Sequence, residues 1–143
     1  MISVLIVDDE KLVRDTLANY INWGELGADA VYLAENGVCA LELAEKVQPS
    51  IVITDIKMPH MEGMEFAQLI REQFPGSRLV FLSGYTDKEY LKGAIHLHVD
   101  GYIEKPLDLP EISSMVRQLV CLCLREEAQK NPELFFYHGD TKA

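Results

Sequence analysis

The chain has 143 residues, 48% of them hydrophobic and 25% charged, which fits one small globular domain with a working core. A formal net charge of −10 argues against a nucleic-acid footprint, because phosphate backbones require clustered Lys and Arg, so no direct nucleic-acid binding by this chain is expected. The apolar runs are far too short to span a bilayer and the N-terminus reads straight into a strand, so a cytoplasmic location without a membrane partner is the expectation.

In chain order, Val4-Leu5-Ile6-Val7 reads as a first buried strand ending in Asp8-Asp9-Glu10. Leu12, Val13, Leu17, Tyr20 and Ile21 recur at helical spacing, and Gly24 and Gly27 punctuate the end of that helix. Ala30 to Ala34 is the second strand, and Asn36-Gly37 opens a helix through Val38, Leu41, Ala44 and Val47 that Pro49 stops. Ile51-Val52-Ile53-Thr54 is the third strand and delivers Asp55 at its end. Met64, Ala67, Leu69 and Ile70 mark a helix that stops before Pro75-Gly76, and Arg78 to Leu82 is a strand running into Ser83-Gly84. Thr86 to Glu89 forms a capping-box pattern for a further helix through Tyr90, Leu91, Ala94 and Ile95. Gly101-Tyr102-Ile103 is a short last strand ending in Glu104-Lys105-Pro106. The final helix starts near Leu109-Pro110 and carries Ile112, Met115, Val116, Leu119, Val120 and Cys123.

Strands alternating with helices imply parallel pairing through right-handed crossovers, with helices on both faces. The expected fold is therefore an α/β, flavodoxin-like, doubly wound five-stranded parallel sheet, its order 2-1-3-4-5 taken from that known template. Residues 1–125 form the expected domain. Residues 126–143, with the cluster Leu134 to Tyr137, are expected to be a C-terminal tail or linker stub. Cys39, Cys121 and Cys123 form no Cys-x-x-Cys pair and read as small hydrophobes in a reducing compartment. His96 and His98 lie two apart, so they do not share one helix face as metal ligands would.

In an open parallel sheet the strand carboxyl ends share one edge, and ligands bind in the crevice there. Asp8, Asp9 and Asp55 would then crowd one site, together with Ser83 and Lys105. Two unit charges about 4 Å apart repel by roughly 1 kcal/mol in bulk water and about 4 kcal/mol at an effective dielectric of about 20. Such a cluster calls for positive charge, and a hard, oxygen-preferring cation that keeps several waters fits, with Mg²⁺ the natural candidate. A carboxylate flanked by Mg²⁺, an ammonium and a hydroxyl is a competent nucleophile toward phosphorus.

The ordered set Val7-Asp8-Asp9-Glu10, Thr54-Asp55-Ile56-Lys57-Met58-Pro59, Glu62-Gly63, Leu82-Ser83-Gly84-Tyr85 and Tyr102-Ile103-Glu104-Lys105-Pro106 resembles the receiver domain of bacterial two-component response regulators, over roughly residues 2 to 125. The resemblance implies a phosphorelay protein and not a conventional enzyme. Asp55 would accept a phosphoryl group from a partner sensor histidine kinase, and the chain would catalyse only its own phosphorylation and dephosphorylation. By the same resemblance Asp9 and Asp55 ligate Mg²⁺ directly, Asp8 does so through water, and the Lys57 backbone carbonyl completes the protein ligands. Ser83 would bond the phosphoryl group and Lys105 would pair with it. Ser83 and Tyr102 would form the switch, the hydroxyl moving toward phosphate and the aromatic turning inward. A cis bond is expected before Pro106. The readout surface would be the fourth predicted helix, the strand of Tyr102 and the final helix. Lys88, Lys92, Asp100, Glu104 and Arg117 would lie on it as exposed charges suited to a homodimer. Within the family, Val13-Arg14, Ile21-Asn22-Trp23, Ala34-Glu35-Asn36-Gly37, Asp55 to Pro59 and Ser83-Gly84-Tyr85 resemble receivers attached to AraC-type helix-turn-helix output domains. Of that set, Val13-Arg14 and Ile21-Asn22-Trp23 read as subtype markers without phosphoryl chemistry.

Three other readings fit less well. A haloacid-dehalogenase-type phosphatase needs a second acid two residues after its nucleophile, where this chain has Lys57. A dinucleotide or flavin module needs Gly-x-Gly-x-x-Gly after the first strand, where this chain has Asp8-Asp9-Glu10. A receiver-like module used only for protein binding would be expected to lack some of the acidic set or the lysine, and none is missing.

Overall fold

The computed structural model describes residues 1–58, 61–84 and 97–130. The predicted helix over 86–95, Pro59, His60, Tyr85, Lys88, Lys92, His96 and the Leu134 to Tyr137 cluster lie outside the described residues.

Five parallel strands form one sheet in the order β2-β1-β3-β4-β5. They are β1 (Ser3–Val7), β2 (Ala30–Ala34), β3 (Ile51–Asp55), β4 (Arg78–Ser83) and β5 (Gly101–Glu104). The described helices are α1 (Lys11–Tyr20), α2 (Trp23–Leu26), α3 (Gly37–Val47), α4 (Gly63–Gln73) and α5 (Leu109–Lys130). Every residue of β1 and β3 is buried, as central strands of a sheet covered on both faces must be. Alternation along the strands sorts the core into two layers. Val4, Ile6, Ile51, Ile53, Val80 and Leu82 face Leu17, Trp23 and the Ile112-Val116-Leu119 stripe of α5. Leu5, Val7, Val52, Leu79 and Phe81 face Ala40 and Ala44 of α3 and Phe66 and Ile70 of α4.

Helix ends follow local chemistry. Asn36 caps α3 by accepting a hydrogen bond from the Cys39 backbone N–H at 2.9 Å, and Asp108 does the same for Glu111 N–H at 3.1 Å. The first predicted helix is in fact two. α1 ends at Tyr20, Ile21 turns extended, and α2 follows as a single turn. Trp23 draws the chain inward there: it is buried, and its indole N–H donates to the Leu17 carbonyl at 2.9 Å. Gly27 then stops α2 in a left-handed conformation at φ 98°, which a side chain would oppose.

The final helix is longer than the expected domain boundary at residue 125. It continues through Glu126 to Lys130, since no glycine or proline interrupts the sequence before Pro132. Asp100 also differs from its expected place on an exposed readout surface. Its carboxylate pairs with Arg71 and Arg78 at 3.2 Å each and accepts the Leu79 backbone N–H at 2.8 Å. Glu104 and Arg117 are exposed, as expected.

Candidate functional site

Strand register brings the site together. Val7 pairs with Thr54, Asp55 with Leu82, and Ser83 with Glu104, so the polar residues that end four strands arrive at one edge. The ladder runs on past the strands: Asp8 N–H donates to Ala34 O at 3.2 Å, Ile56 N–H to Leu82 O at 3.3 Å, and Lys105 N–H to Ser83 O at 2.9 Å. Gly63 at the start of α4 is tied to the residue after Asp55, its N–H donating to the Ile56 carbonyl at 2.7 Å. A Cβ on that glycine would lie 1.9 Å from the Asp55 carbonyl oxygen, so only glycine lets α4 approach this closely.

The carboxylates of Asp8, Asp9 and Asp55 each offer an oxygen within 4.8 Å of the others. Asp8 and Asp55 are buried, at 0% and 5% exposure, while Asp9 is exposed. Lys105 Nζ stands among them, 3.2 Å from Asp8 Oδ2, 3.4 Å from Asp55 Oδ2 and 3.8 Å from Glu10 Oε1. The Lys105–Pro106 peptide is cis. Ser83 is buried at the end of β4, next to this group in the sheet. Tyr102 is half-buried on β5 and packs against the α3–α4 layer of the core. Lys57 follows Asp55 by two residues with an exposed side chain.

The electrostatics are unbalanced. Burial, and then the facing Asp8 carboxylate, push Asp55 up from 3.8 to about 7, although Lys105 pulls the other way. Burial also raises Asp8, against the hydrogen bond from the Glu10 backbone N–H to its Oδ1 at 2.9 Å and against Lys105. Burial acts to lower Lys105, but Asp55 and Asp8 hold it above its ordinary value. Asp8 Oδ2 is buried and makes no hydrogen bond of good geometry, meeting Lys105 only as an ion pair. One ammonium does not neutralise three carboxylates, and an all-oxygen donor set with an unsatisfied buried oxygen fits a hard divalent cation.

All the predicted polar side chains at the strand ends are thus brought to one edge. Two contributors were missed from sequence. Glu10 adds a further carboxylate to Lys105, and Arg14 donates from Nη1 to the Asp8 backbone carbonyl at 2.7 Å. The helical spacing of Arg14 from Glu10 was the available signal, because a long side chain in a first helical turn leans back toward the residues before it.

A parallel sheet in this order, with acidic residues and a lysine converging at its carboxyl edge, is a flavodoxin-like, receiver-type fold. Residues 4–117 match the model of the response regulator receiver domain, and the chain belongs to that family of two-component phosphoacceptor domains. The chain is 36% identical over 138 residues to the transcriptional regulatory protein HptR of Staphylococcus aureus, an alignment covering 96% of this chain and 54% of the relative. The chain therefore spans about half the length of such curated relatives. Among solved structures it is similar to a two-component transcriptional regulator AraC from Clostridium phytofermentans, at 40% identity and TM-score 0.81, covering 90% of this chain and 99% of that one. It is also similar to the receiver domain of AraT, a response regulator from Geobacillus stearothermophilus, at 33% identity and TM-score 0.83, covering 87% and 97%.

Proposed function

We propose that Asp55 is the phosphoacceptor of this receiver and that its partner is a sensor histidine kinase. The observation that carries this reading is Lys105 Nζ, held between the buried Asp8 and Asp55 carboxylates at 3.2 and 3.4 Å. An Asp55 carboxylate oxygen attacks the phosphorus of a phosphohistidine, the P–O bond forms as the P–N bond breaks, and the imidazole leaves and takes up a proton. Asp8, Asp9, Asp55 and the Lys57 backbone carbonyl would hold Mg²⁺, which, when bound, supplies the positive charge that the transferring phosphoryl oxygens require. Lys105 would pair with the phosphoryl group, and the Ser83 hydroxyl would donate to it. Hydrolysis of the acyl phosphate at the same site returns the resting state, so the chain acts on itself and not on a turnover substrate.

Phosphorylation then reaches the output through Ser83 and Tyr102, the first moving toward the phosphoryl group and the second turning inward. The receiver unit is residues 1–125, and the segment after it, which begins as the last turn of α5, leads toward an output domain in a longer regulator. The relatives named as transcriptional regulators support that placement. The acidic balance leaves DNA contact to that output domain. Among the described residues no helix is long and apolar enough to cross a membrane, and a cytoplasmic site of action agrees with the family. A homodimer through the helix predicted over 86–95, β5 and α5 is expected to be more populated when the domain is phosphorylated, and sedimentation with and without beryllofluoride and Mg²⁺ tests it.

The direct test of the acceptor is intact-mass analysis after brief incubation with acetyl phosphate and Mg²⁺. One alkali-labile phosphoryl group should appear on the chain and be absent from Asp55→Asn. A phosphoryl group on His60, His96 or His98 would overturn the assignment.

A further inference from the structure

Arg14 touches the site through the backbone and has no part in the phosphoryl chemistry proposed above. It lies one helical turn into α1, its N–H bonded to the Glu10 carbonyl at 3.2 Å, and its side chain leans back over the β1–α1 loop. There Nη1 donates to the Asp8 carbonyl at 2.7 Å, a charge-assisted hydrogen bond to a strand-end acceptor. Asp8 has two further anchors, its N–H on Ala34 O at 3.2 Å and its Oδ1 under the Glu10 N–H at 2.9 Å. Asp9 follows directly across the peptide that Arg14 grips, and its side chain is exposed.

We propose that Arg14 is a positioning residue for the metal site, holding the Asp8–Asp9 peptide so that the buried and the exposed carboxylate converge on one ion. The inference rests on the reading of Asp8, Asp9 and Asp55 as Mg²⁺ ligands. The role is geometric: Arg14 meets the Asp8 backbone carbonyl, while the cation on the Asp8 and Asp55 carboxylates is Lys105. Without Arg14, Asp8 keeps its other two hydrogen bonds, so the aim of Asp9 is what loosens. Supporting contacts behind a ligand commonly change metal affinity by about 10–100-fold, and this contact acts through one ligand of a water-rich site, so the low end applies.

Arg14→Met keeps the aliphatic stem and removes the donor, and Arg14→Lys restores a donor. Calorimetry on the full chain should show Mg²⁺ bound about tenfold more weakly by Arg14→Met and largely recovered by Arg14→Lys. The Mg²⁺ concentration for half-maximal phosphorylation by acetyl phosphate should rise by the same factor, with the rate at saturating Mg²⁺ unchanged. Wild-type Mg²⁺ affinity in a folded Arg14→Met overturns the proposal. Should that variant not fold, Arg14→Leu, which likewise carries no donor, replaces it with the same two outcomes. Asp9→Ala separates the two readings. If it binds Mg²⁺ as wild type does, the metal assignment fails and the Arg14 proposal with it; if it loses Mg²⁺ while Arg14→Met keeps it, only Arg14 is wrong.

Discussion

At the carboxyl edge of the sheet, Asp8, Asp55 and Glu10 pair with Lys105, and Asp9 brings a further carboxylate to the Asp8–Asp55 cluster. At the opposite edge, Arg71 and Arg78 meet Asp100 and Glu126 in a chain of ion pairs that ties α4, β4, the loop before β5 and α5 together. Arg71 also donates to the carbonyls of Ser77, Leu97 and His98, at 2.7, 3.1 and 2.9 Å. Both clusters are partly buried, yet one is balanced and the other is not. Balanced, hydrogen-bonded charges stabilise the fold locally, and removing one partner strands the rest. An excess of one sign does the reverse: it stores unfavourable electrostatics that a cation can relieve. The comparison separates a structural network from a chemical site within a single sheet.

The largest stability change should come from breaking the balanced end. Asp100→Ala leaves two guanidinium groups and the Leu79 N–H without their shared acceptor. Loss of one partner from a buried pair costs about 3–5 kcal/mol, and the 17–23% exposure of Arg71 and Asp100 argues for the lower end. Urea unfolding should show this loss in the presence or absence of Mg²⁺. A change under about 1 kcal/mol would place this network among ordinary surface pairs.

The unbalanced end should respond in the opposite sense. Because Asp55 is raised from 3.8 to about 7, the folded state binds more protons than the unfolded state between those values. Stability of the metal-free domain should therefore fall as pH rises from about 4 to about 7 and level off above that. The upper bound of this loss is roughly 4 kcal/mol. Asp55→Asn should flatten the slope and stabilise the metal-free fold at pH 8 while abolishing phosphorylation. Wild type and variant with parallel pH profiles would contradict the unbalanced reading.

The smallest effect concerns the loop that Arg71 holds. His98 has φ 53°, a left-handed conformation that costs a non-glycine residue about 1–2 kcal/mol, part of which glycine forfeits again in the unfolded chain. His98→Gly should gain about 0.5 kcal/mol by thermal unfolding, because the carbonyl that Arg71 grips is unchanged. A loss of stability would show that the imidazole makes contacts that matter more than the backbone.

The two edges were also unequally legible in the sequence. The carboxyl edge could be read because each buried strand announces its own end in a polar residue, and parallel topology forces those ends together. The amino edge could not, since Arg71 and Asp100 lie 29 residues apart and meet across helix and loop. Asp100 therefore read as an ordinary surface charge. Trp23 read as a mark of subtype, and its bond to the Leu17 carbonyl shows how the chain turns inward after α1. Arg14 read as a mark of subtype because its contact is with a backbone atom, which side-chain patterns do not record. The apolar stripe gave no end for α5 beyond Cys123, and the helix runs on to Lys130 with Arg78 reaching Glu126 one turn later.

The most direct test of the central claim is the titration of the Asp55 side-chain carboxyl by carbon-detected NMR, without and then with Mg²⁺. A midpoint near 7 without the ion, moving well down into the carboxylate range when Mg²⁺ is added, is the predicted result. A midpoint near the ordinary 3.8 under both conditions would contradict it.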